Sequence, residues 1–262
     1  MADERRERFR RLHEDGIFVM PNAWDRGSAR LLAATGCTAL ATTSAGFAWT
    51  LGVEDHQVTR DLVVEHVTAL ASATDLPLSV DSERLFGSTG DEVAATVGLL
   101  AEAGAAGCSI EDFDPARGVI DDAAHSAELV AAAAEAAHRA GMVLTARAEN
   151  LLHGRDDLDD TIERLRAYRA AGADVVFAPG VRVAAAIRSV VEAVDCPVSV
   201  LMLPGAPPVT ELGALGVRRV STGSILASRA YAAGLAAARS LLDHGGYGDG
   251  ELLSPAERAA LS

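Results

Sequence analysis

Leu76-Pro-Leu-Ser-Val-Asp-Ser-Glu83 and, further on, Gly107-Cys-Ser-Ile-Glu-Asp112 decide how this chain reads. Each is a short apolar run that breaks off into carboxylates. Such a run, bounded by Pro or Gly, predicts a parallel strand covered on both faces. Acids at its C-terminal end fall where a (β/α)8 barrel keeps its chemistry.

The same pattern extends in both directions. Strands are predicted at 17–20, 38–43, 77–81, 107–111, 142–147, 174–178, 197–202 and 218–221. Alanine-rich segments of helical spacing follow them at 26–35, 60–73, 90–103, 121–139, 157–171, 181–193, 208–215 and 223–242, after an opening amphipathic helix at 3–14. Pairs such as Ala103-Gly104, Ala140-Gly141 and Ala171-Gly172 mark helix exits. Eight strand and helix units without a shift in composition predict an α/β fold, a (β/α)8 TIM barrel, over residues 1–244. Residues 245–262 read as a glycine hinge, Gly245-Gly-Tyr-Gly-Asp-Gly250, before a short helix capped by Ser254 with Pro255 and Glu257. That helix either docks on a neighbouring subunit or packs on its own barrel.

Composition narrows the function. Apolar residues make up 49% of the 262 and charged residues 23%, enough for a sizeable core. A net charge of -14 opposes non-specific contact with nucleic acid or an anionic membrane, which leaves a small molecule as the expected partner. No run is long enough for a membrane helix and the charged N-terminus is not a signal peptide, so the expected compartment is the cytoplasm. Cys37, Cys108 and Cys196 are scattered through apolar runs and read as buried packing residues. All 23 basic residues are arginine; with no lysine, Schiff-base chemistry and a Walker-type phosphate loop are excluded.

The predicted strand ends supply the candidate site. Asp81, Glu83 and Glu111, with Asp55 in the loop after strand two, concentrate negative charge that a cation must offset. They are hard oxygen donors with no histidine at ligand spacing, which selects Mg²⁺ or Mn²⁺ over zinc. The alternative is a set of helix caps and solvated loop acids. Arg147 closes an apolar strand and needs anions, either a substrate carboxylate or a structural partner in Glu149 or Glu111. The Ser44-Ala45-Gly46 turn offers free backbone amides for a carboxylate or oxyanion. Among the histidines, read as mostly solvated, only His153 falls near the mouth. No Gly-x-Ser-x-Gly elbow is present.

These residues resemble the isocitrate lyase and phosphoenolpyruvate mutase superfamily. The likeness rests on Pro21-Asn-Ala-Trp-Asp25, Thr43-Ser-Ala-Gly46, Leu51-Gly-Val-Glu-Asp55, Asp81-Ser-Glu83, Ile110-Glu-Asp112, Ala146-Arg-Ala-Glu149, Ala171-Gly-Ala-Asp174 and Gly216-Val-Arg-Arg-Val-Ser221. It implies a barrel assembled as a dimer of dimers, with the C-terminal helix exchanged between subunits. By the same resemblance Asp55, Asp81, Glu83 and Glu111 hold Mg²⁺. Ser44, Ala45, Gly46, Arg147 and Trp24 bind a small carboxylic acid, and Arg147, Ser44 and Glu111 act in catalysis on a 2-oxo or hydroxy dicarboxylic acid through an enolate. The Lys-x-Cys-Gly-His loop of the isocitrate and methylisocitrate lyases is missing, as the lack of lysine requires. Leu85-Phe86-Gly87 replaces the usual Gly-Tyr-Gly, and Thr145 and Ser199 stand where asparagine is common; Leu85 and Arg84 are expected to narrow or recharge the mouth. Two other functions fit the resemblance. One is a P–C bond mutase or hydrolase, with Arg84, Arg117 and Arg155 as candidate phosphonyl partners; the other is an inactive barrel that only binds 2-oxo acids.

Overall fold

Apolar runs too short to cover themselves need neighbours on both sides, and here each finds them. A computed structural model describes residues 2–261. Its strands are β1 (Phe18–Met20), β2 (Asn22–Ala23), β3 (Leu40–Thr42), β4 (Leu78–Val80), β5 (Gly107–Glu111), β6 (Phe113–Asp114), β7 (Val119–Ile120), β8 (Val143–Arg147), β9 (Val175–Phe177), β10 (Val198–Leu201) and β11 (Arg219–Ser221). Nine of them form one parallel sheet in the order β1-β11-β10-β9-β8-β5-β4-β3-β2, a nearly closed barrel.

The eight predicted strands are all present, and β2, just beyond the predicted 17–20, is an additional one. Pro21 separates β1, which pairs with β11, from β2, which pairs with β3, because a residue without an N–H interrupts the ladder. Asn22 bridges the break. Its Nδ2 donates to Thr42 O at 2.5 Å, and its Oδ1 accepts from Thr222 N at 2.8 Å and Gly223 N at 3.0 Å.

Helices alternate with the strands: α1 (Ala2–Arg11), α2 (Arg26–Ala33), α3 (Ser44–Leu51), α4 (Arg60–Ala71), α5 (Gly90–Glu102), α6 (Ala123–Arg139), α7 (Leu158–Ala170), α8 (Ala184–Ala193), α9 (Val209–Ala214), α10 (Ile225–His244) and α11 (Pro255–Ala260). The first closes the N-terminal end of the barrel. Phe9 and His13 pack edge-on against Phe18, and Arg5, Arg6 and Arg10 donate to the Ala71, Ala105 and Met142 carbonyls. Gly107 is obligatory beneath this plug, since a Cβ there would lie 2.7 Å from the Phe9 ring.

Two further elements were not expected from the sequence. One is α3, which no predicted helix covers: residues 44–46 are its first turn, capped by Thr43, and not an open turn. Between β5 and α6 the chain forms the antiparallel hairpin β6–β7. At the other end, α11 lies against α2 of its own chain, with Leu261 next to Gly27 and its carbonyl accepting from Arg30.

Candidate active site

β4, β5 and β8 are neighbours in the sheet, so the residues at their C-terminal ends share one rim. The register sets Glu111 opposite Arg147. Arg147 is the hub: its Nη1 lies 2.6 Å from Asp81 Oδ1, its Nη2 3.2 Å from Glu111 Oε2 and its Nε 2.7 Å from Glu149 Oε1. Burial opposes the guanidinium charge, but the three carboxylates outweigh it and raise the Arg147 pKa well above its usual value. Of the two roles open to Arg147, the structural pairing is occupied, and it takes in Asp81 as well.

Asp81 also reaches α3. Its Oδ2 accepts from Ser44 N at 2.9 Å, while its own N–H donates to Thr42 Oγ1 at 2.9 Å. The Ser44 amide, expected to be free, is therefore committed to a carboxylate at a helix N-terminus. Gly46 is held by close packing, since a Cβ would meet Thr43 Cγ2 at 2.5 Å and Trp24 Cβ at 3.0 Å. Trp24 thus supports the α3 turn from behind.

Glu83, Glu111 and Asp55 converge around a residue that the sequence reading left in solvent. His56 Nδ1 lies 3.3 Å from Glu83 Oε2 and 3.8 Å from Glu111 Oε1, without the alignment of a hydrogen bond to either. The expectation that no histidine accompanies the acids is corrected. Asp55, His56 and Glu83 each place a ligand atom within 4.8 Å of the others. Periodicity could not reveal His56, which follows α3 in an irregular loop; its signal was adjacency to Asp55 at a predicted strand-end loop. The close approach of Glu83 raises its pKa to about 9, with Glu111 and Asp55 adding to the effect against burial. Burial in turn raises the Glu83 and Glu111 carboxyls.

Backbone strain collects in the same place. The four non-glycine residues with left-handed φ among those described are His56 (63°), Glu83 (48°), Leu85 (58°) and Phe86 (54°). Each costs on the order of 1 kcal/mol and persists only where surrounding contacts over-determine it. Leu85 also corrects an expectation. It is fully buried in the core and leaves the mouth open. Arg84 does not recharge the mouth either, because Asp114 at 2.9 Å and Asp121 at 2.6 Å neutralise it and tie the β6–β7 hairpin down.

Other sequence candidates lie apart. Asp112 faces away from the rim, accepting from Tyr168 Oη at 2.6 Å, Arg164 Nη1 at 3.1 Å and Glu149 N at 2.9 Å. His153 stacks on Phe113 at 3.6 Å. Arg117 and Arg155 pair with Asp121 and Asp160. His13 and His66 are buried instead of solvated.

The donor set suits a hard divalent cation. Five carboxylates (Asp55, Asp81, Glu83, Glu111 and Glu149) face two cationic groups, Arg147 and His56, and Glu111 Oε1 is buried without a hydrogen-bond partner. Beside them a pocket opens down the barrel axis, lined by Asp81 and Arg147 and, deeper, by Ser79, Ser109, Thr145 and Arg219.

A parallel barrel with an acid-rich rim over an axial pocket defines the class: α/β barrels that keep their functional site at the C-terminal ends of the strands. The phosphoenolpyruvate phosphomutase family model matches residues 9–242, and the chain belongs to that family. Its superfamily comprises Mg-dependent lyases, mutases and hydrolases acting on small acids. An uncharacterized Mycobacterium tuberculosis protein is 37% identical over 238 residues, covering 90% of this chain and 89% of its own. A lyase/mutase candidate from Burkholderia cenocepacia J2315 superposes with a TM-score of 0.94 at 45% identity, over 98% of this chain and 95% of its own. The structure of 2,3-dimethylmalate lyase gives 0.87 at 25% identity, over 98% and 94%.

Proposed function

We propose that the protein is a Mg²⁺- or Mn²⁺-dependent carbon–carbon lyase or decarboxylase acting on a small 2-oxo or hydroxy dicarboxylic acid through an enolate. The observation that carries this reading is the convergence of Asp55, His56, Glu83 and Glu111 beside Arg147 and Asp81 at the pocket mouth. Asp55, Asp81, Glu83 and Glu111 would hold the cation, which supplies Lewis-acid polarisation of the substrate oxygens. A cation also resolves the excess of carboxylates that Arg147 and His56 only partly offset.

The chain's own groups do the rest. Arg147 holds Asp81, Glu111 and Glu149 in fixed orientation and presents positive charge to the substrate carboxylate. The first turn of α3 seats Asp81 through the Ser44 amide, and the helix dipole there favours the negative charge of the rim. Leu152, Phe177 and Pro179 line the pocket wall and limit water. The phosphonate reading loses support because Arg84, Arg117 and Arg155 are each engaged by carboxylates.

The test is Mg²⁺-dependent release of pyruvate or CO₂ from oxaloacetate and alkylmalates by the full chain. Turnover that disappears in D81A is the expected result. Turnover of phosphonopyruvate alone, followed by phosphorus NMR, would move the protein to P–C chemistry; an acid that raises Tm without turnover would make it a binding barrel.

Self-association belongs to the same reading. Along the 20 residues of α10 only Ala227 is buried; Tyr231, Leu235, Leu241 and Leu242 are exposed, and Tyr231 meets Trp49 of α3 edge-on. A second copy suits that face. Sedimentation should give an even-numbered assembly that L235E or L242E dissociates. No described helix is long and apolar enough to cross a membrane, and the three free cysteines suit a reducing cytoplasm.

A further inference from the structure

Below the rim, the pocket reaches a second buried arginine that nothing above employs. Arg219 opens β11, is 3% exposed, and lines the inner part of the cavity together with Ser79, Ser109 and Thr145. Its Nε donates to Ser199 Oγ at 3.0 Å, its Nη2 to Thr145 Oγ1 at 2.9 Å, and its Nη1 lies 3.5 Å from His13 Nε2. Every one of these partners is uncharged, and no carboxylate pairs with Arg219 among the described residues. His13 stays neutral: its Nδ1 is 2.9 Å from Phe9 O, which assigns the proton there and leaves Nε2 to accept.

A guanidinium has five N–H donors, and three hydroxyl or imidazole contacts leave two unused. A buried cation without a counter-charge is costly unless an anion joins it. The rim acids are already claimed by Arg147, which stands one inward position above Thr145 on β8. The anion must therefore come from the pocket.

The geometry points to Arg219 as a second anion site, which takes one carboxylate of a dicarboxylic acid whose other end lies against the Asp81–Arg147 rim. The identity of that occupant rests on the proposed function; the presence of an anion site does not. Ser79, Ser109 and Thr145 supply the hydroxyl lining such a carboxylate needs, and the apolar wall at Met20, Phe177 and Leu201 suits the carbon chain between. A dicarboxylate is thereby selected over a monocarboxylate by a cation at each end of the pocket.

The experiment has a metal-free and a metal-loaded arm, both on the full chain. In EDTA at constant ionic strength, acetate should raise the Tm of the wild type by roughly 2–4 °C, chloride by less, and a bulky sulfonate buffer anion not at all. R219M should abolish the acetate response, and D81A should keep it. With Mg²⁺, malonate should bind the wild type at least about ten-fold more tightly than acetate, and R219M should erase that preference. If R219M fails to fold, R219Q, which keeps a donor toward Ser199 and Thr145 without the charge, replaces it. An acetate response absent in the wild type, or retained in R219M or R219Q, overturns the site. Chloride equal to acetate makes it an inorganic-anion site and overturns the dicarboxylate assignment. Failure of the wild type to respond to Mg²⁺, with the acetate response intact, sinks the proposed function and leaves the anion site standing.

Discussion

Two arginines occupy adjacent layers of one barrel and live under opposite rules. Arg147, at the rim, is gripped by three carboxylates within 3.2 Å; Arg219, below it, has only hydroxyls and an imidazole. Their guanidinium pKa values move apart accordingly. That of Arg147 rises because acids outweigh burial, while burial and the charge of Arg147 push that of Arg219 down to about 9. The histidines beside them repeat the contrast: His56 among the acids rises to about 9, and His13 against Arg219 falls to about 3. Burial alone does not set the charge balance of this pocket; the distribution of acids does.

The largest expected effect comes from breaking the paired side. R147M leaves Asp81, Glu111 and Glu149 facing one another without their shared cation, and should cost about 3–5 kcal/mol in urea unfolding. Mg²⁺ should then recover more stability in R147M than in the wild type, because the cation becomes the main offset to the acids. A loss under about 1 kcal/mol would mean that the three acids do not depend on Arg147.

Next is acid sensitivity on the unpaired side. His13 is neutral in the folded chain, with a pKa lowered from 6.5 to about 3 by burial and by Arg219. Above pH 6.5 it is neutral folded and unfolded, and contributes nothing. As pH falls below 6.5, the unfolded chain takes up the proton and the folded chain does not, so stability is lost down to about pH 3. At pH 4 the loss from His13 amounts to roughly 3 kcal/mol. H13N should flatten the acid limb of the stability curve by that amount, while His66, lowered to about 4 by burial, keeps part of the slope. An unchanged limb would remove His13 from the account.

The two layers also differ in how far the sequence disclosed them. The eight strands were legible because buried parallel strands are apolar runs, and the rim acids were legible because charge ending such a run is rare. Arg219 sits inside Val217-Arg-Arg-Val220, where alternation predicts one arginine inward and one outward without saying which. Only the register settles it: Arg218 donates to Gly16 O near the surface, and Arg219 turns in. His56 and the first turn of α3 escaped for another reason. Thr43-Ser-Ala-Gly46 has little helical periodicity, and a histidine with φ of 63° lies in a loop whose shape is set by tertiary contacts. The acids around His56 were visible one by one; their meeting on it was not.

A smaller effect is expected where Arg219 meets its neutral partners. T145V removes the hydroxyl that accepts from Arg219 Nη2 while nearly preserving shape, and should cost about 2 kcal/mol, the range for a hydrogen bond to a charged group.

The smallest change should come from the substitution that is most damaging one layer higher. R219M deletes a buried cation that has no counter-charge, so the desolvation it relieves offsets the two hydrogen bonds it forfeits to Ser199 and Thr145. In buffer free of small anions its stability should lie within about 1 kcal/mol of the wild type, against the loss of several for R147M. The pair of variants separates a cation that holds the rim together from one that waits for a ligand. In the R219M background T145V should become nearly silent, because its cost exists only while a guanidinium is there to lose a partner. If T145V stays equally costly there, the Thr145 hydroxyl serves the barrel and not Arg219.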